Sequence, residues 1–203
     1  VWDKTNSSTR VGAVLSKQQG KLLRYNFSGE LDFLGRKAGD FALNANLTGI
    51  LPLGKLAMQL DANGYSRSET PSFFYTYYHS NHFKWENEMG RVFRTHLEGR
   101  LKIPLLRFAL TAAVENISNH IYFDKQALPA QLEDNLQVLS ANLKQDFRVG
   151  KFTLENNVVY QLSSNQEVLP LPMLTLFHNL YYDGLWFKVL SVQAGVDVRY
   201  HSL

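Results

Sequence analysis

The residues best suited to act on a solute are charged, and they recur at every second position. Arg94, His96, Glu98, Arg100 and Lys102 alternate along one stretch. Lys144, Asp146 and Arg148 do so along a second, and Asp197, Arg199 and His201 along a third. A β-strand sends successive side chains to opposite faces, so each set shares one face. Such a row is either the wet face of a soluble sheet or the wall of an aqueous passage, where mixed charge tunes which ions pass. Four of the five residues in the first row carry or can acquire positive charge, which predicts a local preference for anions. Arg94, His96, Glu98, Arg100, Lys102, Lys144, Asp146, Arg148, Asp197 and Arg199 are the candidate passage-lining residues.

Other chemistries find less support. His79 and His82 lie three apart in a predicted strand, so they point to opposite faces and cannot clamp one ion together. His178 shares its parity with Leu176 and Leu180, on an apolar face. A zinc site wants three or four convergent ligands, and no HExxH helix is present. There is no GxSxG, and Ser, His and Asp are scattered without a local signature. The expectation is therefore a protein that is not an enzyme, with no catalytic residues, metal or cofactor. The aromatic stretch Phe73 to Trp85 could stack sugars or bases. It is read instead as an interfacial girdle, since Tyr and Trp favour the boundary between lipid and water. Val168 to Pro172 is expected to form a stiff loop that folds inward or covers a mouth.

Bulk composition narrows the class. The chain has 203 residues, 45% of them hydrophobic and 13% aromatic. Its mean hydropathy is −0.22. No run of about 18 apolar residues occurs, which argues against transmembrane helices but leaves membrane-spanning strands open. The net charge is +3, with Lys and Arg interleaved among Asp and Glu. Without a basic block, nucleic acid is not an expected partner. The absence of cysteine excludes disulfides and thiolate metal sites.

The elements that must position the charged rows are strands. Leu190 to His201 (LSVQAGVDVRYH) puts Leu190, Val192, Ala194, Val196, Val198 and Tyr200 on one parity and Asp197, Arg199 and His201 on the other. The same alternation recurs from Arg10 to Lys17, from Lys21 to Phe33, from Phe41 to Thr48 and from Leu56 to Asn63. It returns from Phe93 to Lys102, from Arg107 to Glu115, and from Leu139 to Arg148. Further strands are expected at Phe73 to Glu88, His120 to Asp124, Leu154 to Leu162 and Met173 to Tyr182, with a tight turn at Asp183-Gly184. Residues before about Arg10 are polar and expected to be irregular.

This amounts to about twelve strands, most of roughly 8–14 residues. The commonest soluble strand has about 5–6 residues, whereas a tilted membrane-spanning strand needs about 9–11. Length thus separates a membrane barrel from a sandwich. Short turns are expected at one end, at Gln19-Gly20, Pro52 to Gly54, Met89-Gly90, Asn116 to Asn119, Gly150 and Asp183-Gly184. The long loops fall at the other end, with a short link at Pro104 as the exception. That asymmetry belongs to outer-membrane barrels.

Several stretches, Tyr78–Asn87 (YHSNHFKWEN), Glu115–Asp124 (ENISNHIYFD), Leu139–Leu143 (LSANL) and above all Val158–Tyr182 (VVYQLSSNQEVLPLPMLTLFHNLYY), resemble the putative porin family of Bacteroidota. The resemblance runs in family order from about Tyr75 onward. It implies an outer-membrane β-barrel that lets small solutes pass, and it carries no catalytic residues. The resemblance implies family members longer than this chain, and the opening on Val1-Trp2 without a Met leads to the expectation of a mature protein or an excised piece.

The expected fold is therefore all-β: an antiparallel up-and-down transmembrane β-barrel. Residues 1–203 form either a single outer-membrane barrel domain or a fragment of a larger one. The expected function is passive diffusion of small hydrophilic solutes or ions through a polar lumen. Alternatives are a structural or docking barrel in a larger envelope machine, the barrel of an energised transporter, or an embedded hydrolase. The expected partners are outer-membrane lipid, the solutes themselves and, under the docking alternative, other envelope proteins.

Overall fold

A computed structural model describes residues 7–202, so most of the polar opening stretch lies outside the described residues. Of what is described there, Ser8 and Thr9 already belong to the first strand. In chain order the strands are β1 (Ser8–Lys17), β2 (Leu23–Gly35), β3 (Phe41–Leu53), β4 (Leu56–Glu69), β5 (Tyr77–His79), β6 (Lys84–Glu86) and β7 (Val92–Ile103). There follow β8 (Phe108–Ser118), β9 (Ile121–Phe123), β10 (Pro129–Gln131), β11 (Leu136–Val149), β12 (Phe152–Ser163), β13 (Leu174–Trp186) and β14 (Leu190–His201). Ten of them form one antiparallel sheet in the order β1-β2-β3-β4-β7-β8-β11-β12-β13-β14. Within the described residues this sheet is open, with β1 and β14 at its edges.

Alternation dictates the two faces, and register keeps them aligned. Residues directly opposite on paired strands share a face. One row runs Leu15, Phe27, Ala45, Gly64, Leu97, Val114, Leu139 and Leu162. At the far edge the same face continues through Leu154, Leu180 and Val196. A one-residue slip anywhere would turn an entire strand over, so the matched faces specify the register. Among the described residues no second layer covers this apolar face: Leu97 is 61% and Val196 69% exposed. Soluble monomers rarely expose so continuous an apolar surface. The ten strands are 10 to 14 residues long, enough to cross a bilayer when tilted.

Two expected strands are not part of this sheet, so the twelve strands anticipated become ten. The aromatic stretch Phe73 to Glu88 folds as a helical turn, Phe73–Thr76, followed by the small β5–β6 hairpin. Its sequence does not alternate, so it has no single face to offer the sheet. A turn at Ser80 breaks it, where the hydroxyl accepts hydrogen bonds from the backbone N–H of His82 and Phe83. His79 and His82 accordingly do not lie on one strand. The second misplaced segment, His120 to Asp124, contributes only the three residues of β9, which pair with β10. Asp124 closes that hairpin by accepting from the N–H groups of Gln126 and Leu128.

Removing these two segments sharpens the end asymmetry. One end carries the connections 18–22, 54–55, 104–107, 150–151 and 187–189, none longer than five residues. The other carries 36–40, 70–91, 119–135 and 164–173. The Pro104 link, an exception on the sequence reading, therefore falls among the short turns. Met89-Gly90 moves to the long-loop end, and the turn expected at Asn116 to Asn119 is not one: Asn116 to Ser118 are paired within β8 and Asn119 opens the 119–135 loop.

The last hairpin also differs from expectation. Asp183-Gly184 is not a turn: both residues lie within β13, opposite Gln193 and Val192. The chain reverses at 187–189, with Phe187 and Lys188 in the left-handed region (φ 53° and 63°). A two-residue turn at Asp183-Gly184 would set Leu176 against Ser191 and Leu174 against Gln193. The wet set of β14 would then meet the apolar set of β13. The observed register sets Leu176 against Tyr200 and Leu180 against Val196. Face matching thus outweighs a strong local turn signal.

Candidate functional site

The opposite face carries the polar residues. Opposite β7 on one side stand Gln59, Asp61, Asn63, Tyr65 and Arg67 of β4, facing Lys102, Arg100, Glu98, His96 and Arg94 in turn. On its other side, β8 sets Ala109, Thr111, Ala113 and Glu115 against Lys102, Arg100, Glu98 and His96. Lys144, Asp146 and Arg148 of β11 lie on this same face, as do Asp197 and Arg199 of β14. All ten sequence-predicted residues therefore share one face. Those on β7 sit together, while those on β11 and β14 stand further along the sheet.

Neighbouring strands change the charge reading of the β7 row. Arg100 pairs with Glu98 at 3.2 Å and donates from Nε to Thr111 at 3.1 Å. Lys102 pairs with Asp61 at 3.3 Å. Asp61 also accepts from Thr48 and Gln59, and Glu98 accepts from Asn63. Two of the four expected cations are thus paired with carboxylates, which lowers the positive surplus that the row's composition suggests. The charge left over lies at the long-loop end, in Arg94 and the unforeseen Arg67.

Around these two the geometry is layered. The Arg67 guanidinium lies over the Tyr65 ring, 4.1 Å from its centroid. Tyr65 stacks in turn on His96, with ring centroids 5.0 Å apart and planes 13° off parallel. Tyr65 Oη donates to Glu115 at 3.0 Å, while His96 Nδ1 stands 3.9 Å from Glu115, beyond hydrogen-bond reach. The pattern Gln59, Asp61, Asn63, Tyr65 and Arg67 alternates as clearly as the β7 row. Extending the parity of β4 past Asn63 would have found Tyr65 and Arg67.

Other polar residues cluster where β1 to β4 reach the long loops. Asp32, 2% exposed, accepts two hydrogen bonds from Arg10, at 3.0 and 2.9 Å. Asp40 accepts from the backbone N–H and hydroxyl of Thr70. These carboxylates line a cavity of about 760 Å³ on the polar face, which Arg67, Glu30, Asn44 and Ser72 also border.

The long loops lean over this face. Val92, Ile117 and Leu136 all belong to its parity, and they are the buried apolar residues among those described. Ile121, Leu132 and Leu169, from two different loops, pack on them. The 70–91 and 119–135 loops are tied together by Gln131, which bonds the backbone of Gly90 on both sides, and by Asn87, which donates to Pro129. His120 sits at the base of this assembly. Burial pushes its pKa below the usual imidazole value, and the Arg94 charge pushes it the same way against the pull of Glu115.

No curated protein matches the chain. A family model described as putative porin matches residues 2–203. With the match spanning nearly all of an antiparallel all-β chain, the chain belongs to the putative porin family, whose description implies a porin-like, non-enzymatic transport role at an outer membrane.

Proposed function

We propose that the ten-stranded sheet is wall of an outer-membrane β-barrel, with its apolar face against lipid and its polar face against an aqueous lumen. On this reading residues 1–203 belong to a single barrel domain or form part of a larger one, and small hydrophilic solutes or ions diffuse through it. The observation that carries the reading is the alignment of apolar residues on one uncovered face across all ten strands. Hydrocarbon tolerates no unpaired backbone, so β1 and β14 must each gain a partner in the membrane. They either pair with each other or with further strands. The polar wall lowers the cost of moving a charge through the bilayer, and the charged rows set the selectivity.

The test is conductance of the purified protein in planar bilayers. Stepwise ohmic channels are expected. Silent insertion, with the protein folded, would overturn diffusion. The inward packing of Leu132 and Leu169 favours one other reading, a barrel closed by its loops and serving as a docking unit. Channels that appear only after removal of 164–173 would favour it.

A further inference from the structure

We propose that Arg67 and Arg94 form an oxyanion clamp on the polar face at the long-loop end, one that holds phosphate- or carboxylate-bearing solutes at the entrance. The inference deepens the diffusion reading by naming a solute class, and its position at an entrance rests on that reading.

Arg67 and Arg94 stand directly opposite each other on β4 and β7. Like charges placed so repel, which destabilises the pair unless something lies between them. Their neighbours in the row are Ala42 on one side and Ile117 on the other, neither with a side-chain acceptor. Both Nε atoms are buried without a hydrogen-bond partner. Guanidinium N–H groups only donate, so each needs an acceptor that the protein here does not supply. Glu69, next along the same face, is exposed and pairs with neither.

The contrast with nearby cations makes the pair specific. Arg10 binds Asp32 and Glu30, Arg91 approaches Asp40, Arg100 binds Glu98 and Lys102 binds Asp61. Arg67, though not Arg94, borders the 760 Å³ cavity, so a solute would approach the pair from the Arg67 side. His120 Nδ1 is a further buried nitrogen without a partner, close enough to Arg94 to feel its charge. Two guanidinium groups at directly paired positions, each with an Nε–H that lacks an acceptor, suit an oxyanion, which a guanidinium can grip through paired N–H bonds. The stack of Arg67 on Tyr65 and His96 holds one fork in place.

The experiment titrates inorganic phosphate into the protein, purified in a maltoside detergent free of phospholipid, and follows binding by calorimetry. The same protein is read for conductance. Saturable phosphate binding is expected, weakened at least tenfold in R67Q/R94Q. R67K/R94K, which keeps the charge but loses the forks, should fall between. K55Q, in a short turn, removes one positive charge elsewhere and should bind as the unaltered protein does. Retained far-ultraviolet dichroism in each variant shows that folding survives. Absent phosphate binding, or equal binding in R67Q/R94Q, overturns the clamp. Phosphate binding without any conductance leaves the clamp standing and overturns the diffusion reading. Conductance without phosphate binding does the reverse. An effect seen only with phospholipid micelles assigns the site to a headgroup and overturns the solute claim.

Discussion

His178 and Asn156 face each other across β12 and β13 on the apolar side of the sheet, with Nδ1 2.7 Å from Oδ1. Asn156 also donates from Nδ2 to the backbone carbonyl of Gln145. Two polar side chains thus satisfy one another on a predominantly apolar face, between Leu154 and Val158 of one strand and Leu176 and Leu180 of the other. This explains how His178 shares the parity of Leu176 and Leu180. Hydrogen-bonded polar groups are tolerated in apolar surroundings, and single ones are not.

Breaking that pair should cost more than deleting it. Either N156V or H178L leaves one polar group alone and should destabilise the folded protein by about 1–3 kcal/mol. The double variant N156V/H178L should recover much of that loss. Urea unfolding in lipid vesicles, analysed as a double-mutant cycle, measures the difference. Additive losses would mean that the two side chains do not depend on each other.

The two faces of β14 should respond oppositely to charge. Val196 lies on the apolar face opposite Leu180, and Gln193 on the polar face opposite Asp183. V196R should cost about 2–4 kcal/mol if it lies near mid-membrane, whereas Q193R should cost little. Folding free energies in vesicles decide it, and equal tolerance would remove lipid from the apolar face.

Leu136 is fully buried beneath the loops, against Val92 and Ile117. L136A should destabilise this cluster by about 2–5 kcal/mol, the usual range for such a truncation. L169D should release the 164–173 segment without unfolding the sheet. Limited proteolysis should then cut within 164–173 sooner, and single-channel conductance should rise. Unchanged cleavage would place Leu169 outside the cover.

Acid should loosen the same loops through His120. Its pKa is lowered in the folded state, first by burial and then by Arg94. A group of this sign contributes stability that is fully present above the free-imidazole value of about 6.5. That stability is lost as pH falls through the lowered folded value. Proteolysis of 119–135 should therefore quicken below about pH 6.5, and H120Q should flatten that dependence. A rate equally sensitive to pH in H120Q would assign the effect to another group.

Much of the fold was legible in the residues alone because alternation is a local property. Each long strand shows its own wet and oily parity, and the charged rows on β7, β11 and β14 could be assigned to one face without a partner in view. The exceptions had local causes too: the aromatic run after Pro71 fails to alternate, and the segment after His120 is too short to span. What a single strand cannot reveal is its neighbour. Register decided that β13 continues past Asp183-Gly184, because only that pairing matches oily face to oily face. Register likewise brought Asp61 to Lys102, neutralising a cation that looked free, and set Arg67 directly opposite Arg94. The polarity of each face follows from side-chain type at every second residue, whereas charges such as Asp61 and Lys102, or Arg67 and Arg94, lie far apart in the chain, and only the folded sheet brings those together.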